Sequence, residues 1–218
     1  MSASVPIDLA RIVHDLRGPL MPLRTAAWLL RNELDESARV GELVDIVDRQ
    51  CGRLTRMMDE LGDWARVASG EMGLNLVPVE AELLIDTALG GIPACPVTPE
   101  YHDTAAAVQV LADQHRIDQL LRTMIQNALH RDQGRVPRLQ LSIRAGQLTI
   151  DVRDQGAPLD AVAPEALLNC PQYNPFDDGL GLRLMMAKRI AEAHGGRLTI
   201  DETPTHGLGL VCTLPARS

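Results

Sequence analysis

Two heptad stripes near the start of the chain constrain its fold more than any other feature. From Leu9 the apolar residues run Leu9, Val13, Leu16, Leu20, Leu23, Ala27, Leu30 and Leu34, in alternating steps of four and three. A second run repeats the pattern at Val40, Val44, Val47, Cys51, Leu54, Met58, Leu61, Ala65 and Ala68. Each run predicts a long helix. The two join near Glu33–Ser37, where Asp35 or Ser37 is placed to cap the second helix. A hairpin with a full stripe on each helix cannot bury both stripes on itself. A second copy can, which predicts a homodimer closed as a four-helix bundle. The competing arrangement is a monomer whose hairpin packs on its own C-terminal half.

The glycines of Ser69-Gly70-Glu71-Met72-Gly73 stop the periodicity, so residues 1–70 are expected as a hairpin, 71–78 as a linker and 79–218 as a second domain. In that domain, Ala81–Leu89, Gln114–His130 and Leu182–His194 read as helices. Leu139–Ile143 and Gln147–Arg153 alternate apolar and polar residues as a hairpin turning at Ala145-Gly146. Arg197–Asp201 and Leu208–Leu214 are the closing strands. The fold class is therefore α+β: an antiparallel helical hairpin followed by an α/β sandwich with helices on one face of a mostly antiparallel sheet.

Composition removes several classes of function. Aromatic residues make up only 2% of the 218 and the net charge is −8, which leaves neither stacking platforms nor a basic surface for nucleic acid. No apolar run reaches the roughly 18–20 residues that span a bilayer, and Met-Ser-Ala-Ser-Val-Pro-Ile-Asp is not a secretion signal, so a cytoplasmic protein is expected. Cys51, Cys95, Cys170 and Cys212 lack the close spacing of metal or redox motifs and read as reduced thiols. His102, His115, His194 and His206 share no metal spacing and are expected at surface or loop positions. Met57-Met58 and Met185-Met186 are expected as core filler, and Trp28 and Trp64 as bundle or interdomain packing.

Chemistry first appears at His14, one residue off the first stripe. Asp15 beside it is a carboxylate able to fix one ring tautomer and leave the other nitrogen nucleophilic. Pro19, inside the helical pattern, removes a backbone hydrogen bond and predicts local bending. His14-Asp15-Leu16-Arg17-Gly18-Pro19-Leu20 resembles the H-box of the sensor histidine kinases of two-component signalling. The resemblance continues through the chain. Gln126-Asn127-Ala128 resembles the N-box, Asp154-Gln155-Gly156-Ala157-Pro158 the G1 box, and Asp178-Gly179-Leu180-Gly181-Leu182 the G2 box, with Gly207 available for a final glycine motif.

That family implies a sandwich of the type shared with gyrase, Hsp90 and MutL, with ATP and Mg²⁺ as cofactors. It implies that Asn127 ligates Mg²⁺, with Thr123 one turn earlier as a second candidate. His130 and Arg131 would supply the basic charge after the N-box. Asp154 would accept a hydrogen bond from the adenine amine, and Gly156 would let the backbone approach the base. Gly179, Leu180 and Gly181 would present backbone N–H groups to phosphates. His14 would take the γ-phosphoryl group, with Asp15 orienting the ring and accepting its proton and Arg17 helping to hold the phosphate. An aspartate on a response-regulator receiver domain would then accept it, with the signal coming from an upstream sensor or partner protein.

Several positions depart from the pattern: Thr123 and His130 in the N-box, Pro158 in the G1 box, a short lid reduced to Asn174-Pro175-Phe176, and Gly18 where the family commonly carries threonine or asparagine. The second reading these changes leave open is a dimeric histidine phosphotransferase that keeps the fold as scaffold and relays phosphate between receivers without using ATP.

Overall fold

The computed structural model describes residues 9–32, 37–68, 72–102, 104–131, 134–156, 164–172, 179–202 and 207–217. The first heptad run forms helix α1, Leu9–Asn32, which carries Pro19 and Pro22 within it, and the second forms α2, Ser37–Ala68. Both stripes fold as helices, but their inward phase differs from the one the sequence suggests. The rows withdrawn from solvent are Ile12, Leu16, Pro19, Leu23, Ala26 and Leu30 on α1, and Leu43, Val47, Gln50, Leu54, Met57, Leu61 and Trp64 on α2. The expected stripes share only the columns through Leu16 and Val47 with these rows. Leu20, Ala27, Val44, Cys51, Met58 and Ala65 are exposed in the single chain. Met58, expected as core filler, is 65% exposed, and Trp28 is 64% exposed, whereas Met57 is fully buried. Each helix thus has an apolar flank turned inward and a second apolar flank left open.

The chain divides into two compact units, Met1–Gly70 with Pro171–Leu182, and Glu71–Cys170 with Arg183–Ser218. In the second unit, β1 (Val77–Glu80) starts inside the stretch expected as linker and runs into α3 (Ala81–Gly90). There follow β2 (Pro99–Tyr101), a short 3₁₀ turn, β3 (Gln109–Ala112), α4 (Gln114–Arg131), β4 (Arg138–Arg144) and β5 (Gln147–Arg153). Next come α5 (Pro164–Asn169), α6 (Arg183–Ala193), β6 (Arg197–Glu202) and β7 (Leu208–Arg217). The sheet order is β1-β3-β7-β5-β4-β2, with β6 also on β7. Every pairing is antiparallel except β2 with β4. This is the expected α+β class.

Alternation sets the sheet's two faces. Leu139 and Leu141 on β4, with Leu148, Ile150 and Val152 on β5, point to one side and are essentially fully buried. Helix α4 meets them with Ile117, Leu120, Leu121, Met124, Ile125 and Ala128, the spacing of one helical face. The β4–β5 turn places Ala145 at φ 50° and Gly146 at φ 74°, the left-handed pair that matches the strands' twist. Asp113 starts α4: its Oδ1 accepts the Arg116 N–H at 3.1 Å and its Oδ2 the Asn75 N–H at 3.0 Å. His194 corrects an expectation. It is buried, with Nδ1 bonded to the Ile190 carbonyl at 2.7 Å and Nε2 accepting the Asp113 N–H at 3.0 Å, so it ties the end of α6 to the start of α4. His102 and His115 are exposed as expected, and His206 lies outside the described residues.

Candidate nucleotide site and phosphoacceptor helix

Asp154 follows directly on β5, and the β5–β7 register decides its surroundings. Arg153 pairs with Gly209, so the next step of the ladder sets Asp154 opposite Leu208. The Asp154 N–H donates to the Leu208 carbonyl at 3.1 Å, and Leu208 returns its own N–H to Asp154 Oδ1 at 3.1 Å. The Gly156 N–H donates to the same oxygen at 2.9 Å. Oδ2 accepts from Arg131 Nε, on the last residue of α4, at 2.6 Å. The carboxylate is 1% exposed and Arg131 25%. A charge that deep requires this many partners.

Glycine is required beside it. Gly207 has φ +72°, and a Cβ there would stand 2.3 Å from the Asp154 carbonyl oxygen and 2.4 Å from Oδ1. Gly156 is also tight, its Cβ position lying 3.0 Å from the Arg131 carbonyl. The Asp-x-Gly pattern is visible in sequence. The contributions of Gly207, Leu208 and Arg131 to holding Asp154 are not, because long-range strand register and the end of α4 create them.

Asn127 lies on α4 just before the core residue Ala128, and its Oδ1 is buried with no hydrogen-bond partner among the described residues. A buried, unmatched amide oxygen costs about 1–3 kcal/mol, and a hard cation that keeps most of its waters is the kind of ligand it suits. Thr123, one turn earlier, donates its hydroxyl proton to the Gln119 carbonyl at 2.8 Å and keeps oxygen lone pairs. His130 is exposed and folds back, its Nδ1 2.6 Å from the Gln126 carbonyl. The two residues expected to supply charge after the N-box are therefore both directed elsewhere, His130 to its own helix and Arg131 to Asp154.

Gly179, Leu180 and Gly181 belong to the first unit. The Leu180 N–H donates to Glu60 Oε2 at 2.8 Å, and the Leu182 N–H approaches the same oxygen at 3.5 Å. Two backbone amides of this glycine-bearing segment thus face one carboxylate oxygen. Gly181, at φ +76°, packs on Gln172, whose N–H donates to the Gly181 carbonyl at 2.9 Å. Asp178, Pro158 and the lid residues Asn174-Pro175-Phe176 lie outside the described residues.

His14 lies in α1, with its side chain outside the described set. Asp15 is half-buried beside it, and Arg17 and Gly18 are exposed. A Cβ on Gly18 would meet nothing within 4 Å.

A helical hairpin followed by a mixed sheet carrying a buried Asp-x-Gly and a helix-borne asparagine is the architecture that the resemblance to the histidine kinases implies. Comparison with known proteins agrees with both halves. Residues 9–70 match the His Kinase A (phospho-acceptor) domain, and residues 112–218 match the histidine kinase-, DNA gyrase B- and HSP90-like ATPase. The chain belongs to the histidine kinase family.

Among its relatives is the alginate biosynthesis sensor protein KinB of Pseudomonas aeruginosa, 27% identical over 94% of this chain and 36% of its own. Another is the sensor histidine kinase ZraS of Klebsiella oxytoca, 26% identical over 94% of this chain and 45% of its own. The chain thus spans less than half of either relative. In fold it resembles the Acinetobacter baumannii histidine kinase AdeS, with TM-score 0.70, 18% identity, and coverage of 94% of this chain and 98% of that one. It also resembles histidine kinase ThkA, solved in complex with response regulator protein TrrA, with TM-score 0.71, 19% identity, and coverage of 95% and 60%. No described helix is long and apolar enough to cross a membrane.

Proposed function

We propose that the chain is a cytoplasmic histidine kinase core that autophosphorylates His14 from ATP and passes the phosphoryl group to an aspartate of a response-regulator receiver domain. Residues 1–70 form the dimerisation and phosphoacceptor hairpin, and 79–218 the ATP-binding domain. The observation that carries this reading is the pair of buried groups directly after β5 and on α4. Asp154, held by the Gly156 and Leu208 amides, would accept the base amine, and Asn127 Oδ1 has no hydrogen-bond partner among the described residues. Mg²⁺, when bound, neutralises phosphate charge. Asn127 would hold it, with Thr123 as a second oxygen. Asp154 and Gly156 orient the base, and the amides around Gly179–Gly181 exchange the Glu60 carboxylate for phosphate oxygens. Asp15 keeps one imidazole tautomer and takes up the proton as His14 is phosphorylated, and Arg17 steadies the transferring group.

The open apolar flank through Leu20, Val44 and Met58 supports a homodimer, since a second copy carrying the same flank covers it. ThkA in complex with TrrA supports a receiver domain as the phosphate acceptor. Incubation with γ-labelled ATP and Mg²⁺ is expected to give acid-labile phosphate on the protein, abolished in His14→Gln. Phosphate accepted only from a phosphorylated receiver, with no nucleotide bound, would assign the phosphotransferase role instead.

A further inference from the structure

Given the nucleotide site proposed above, on which this reading rests, we propose that Glu60 competes with nucleotide phosphate and lets helix α2 regulate how tightly the site binds. Glu60 is on α2, and residues 179–182 belong to the same compact unit as that helix. Glu60 Oε2 accepts the Leu180 N–H at 2.8 Å and the Leu182 N–H at 3.5 Å, across 120 and 122 residues of chain. Gly179 is fitted to this contact, because a Cβ there would overlap the Glu60 carboxylate. Behind it the Gln172 N–H donates to the Gly181 carbonyl at 2.9 Å, and Gly181, at φ +76°, packs on the Gln172 backbone. The two amides therefore stand in a closed loop that presents them to a carboxylate of α2.

An ionised carboxylate and a phosphate oxygen are both acceptors, and a backbone N–H makes one strong hydrogen bond at a time. Nucleotide phosphates that take the Leu180 and Leu182 amides must therefore displace Glu60. The apparent affinity for nucleotide is then lowered by the fraction of molecules in which Glu60 has let go. A charge-assisted contact of this kind favours the closed state by about tenfold. Linkage makes the effect reciprocal: a movement of α2 that withdraws Glu60 raises the affinity for ATP, and bound ATP favours that movement to the same degree. Glu60 is thus an inhibitory contact. A residue that only positioned the glycine segment for phosphate would act with the opposite sign, since its loss would weaken binding.

The test is calorimetric titration of the intact chain, Glu60→Gln and Glu60→Ala with Mg²⁺-ATP, each variant checked for retained helicity by circular dichroism. Glutamine keeps the size of the side chain and loses its charge, whereas alanine removes the acceptor. ATP is expected to bind about threefold more tightly to Glu60→Gln than to the wild type, and about tenfold more tightly to Glu60→Ala. Adenosine, which carries no phosphate, should gain nothing from either substitution, and a gain as large as that of ATP overturns the proposal. Unchanged or weaker ATP binding in the folded variants also overturns it and leaves the nucleotide site standing. ATP bound by none of the three proteins overturns the nucleotide site itself, and this proposal with it.

Discussion

Asp154 is the residue whose removal separates architecture from ligand binding most sharply. Alanine there strips the acceptor from two backbone N–H groups, those of Gly156 and Leu208, and one partner from Arg131. Each amide left without an acceptor costs about 1–3 kcal/mol. Arg131, 25% exposed, recovers part of its hydration, so its share is nearer 1 kcal/mol. The sum is about 3–7 kcal/mol, a large part of the 5–15 kcal/mol that holds a typical domain. Asparagine behaves differently. Its carbonyl oxygen still accepts both backbone amides, and the penalty reduces to an amide nitrogen facing Arg131 Nε, about 1–2 kcal/mol. Urea unfolding followed by circular dichroism should therefore order the midpoints as wild type, then Asp154→Asn, then Asp154→Ala, while calorimetric titration shows nucleotide binding lost in both variants. An alanine variant within about 1 kcal/mol of wild type, or an asparagine variant less stable than alanine, would refute this account of how the carboxylate is held.

Met58 is 65% exposed in the single chain, so Met58→Glu should leave the hairpin's helicity intact yet reduce the mass seen by light scattering from twice 23.8 kDa to 23.8 kDa; a variant that stays dimeric contradicts the open-flank interface. Gly18 is exposed with open space around its Cβ position, so Gly18→Thr should keep autophosphorylation and gain dephosphorylation of the regulator, measured as decay of phospho-regulator with Mg²⁺ and ADP present; strong phosphatase activity in the wild type contradicts it. For Asp113, burial raises the carboxyl's pKa, but the amides of Asn75 and Arg116 outweigh it and hold the group below its ordinary 3.8. A depressed folded value means stability that is full above the unfolded value and is lost as pH falls through the folded one. Asp113→Asn, which keeps the cap without the charge, should flatten the loss of stability below pH 4 and cost under about 1 kcal/mol at pH 7; an unchanged acid limb contradicts this.

How far these features can be read from the residues depends on the range over which each is determined. Helix α4 is legible because its apolar face repeats every turn from Ile117 to Ala128 and Asp113 caps it. The β4–β5 hairpin is legible because alternation persists for seven residues on each side of Ala145-Gly146. Strands β1, β2 and β3, three or four residues each, are too short to show a period and exist only through partners far away, as Val77 does opposite Ala112. The hairpin's period is legible and its phase is not. A helix apolar on two flanks satisfies a heptad pattern in either column, and only packing chose the one through Ile12, Pro19 and Ala26. The burial of His194 is not legible because isolated histidines show no pattern of burial. The usable signal is its place at the end of α6 before Gly195-Gly196, where an imidazole can bond the carbonyl four residues back.

The proposed nucleotide site combines both ranges. Asp154 and Gly156 are visible as a three-residue motif, but the acceptor geometry of Asp154 is set by Leu208, 54 residues later, and its charge is met by Arg131, 23 residues earlier. A local motif therefore identifies the carboxylate proposed to face the base. The groups that hold this carboxylate come from the last strand and the end of α4, and are encoded in residues that carry no motif of their own.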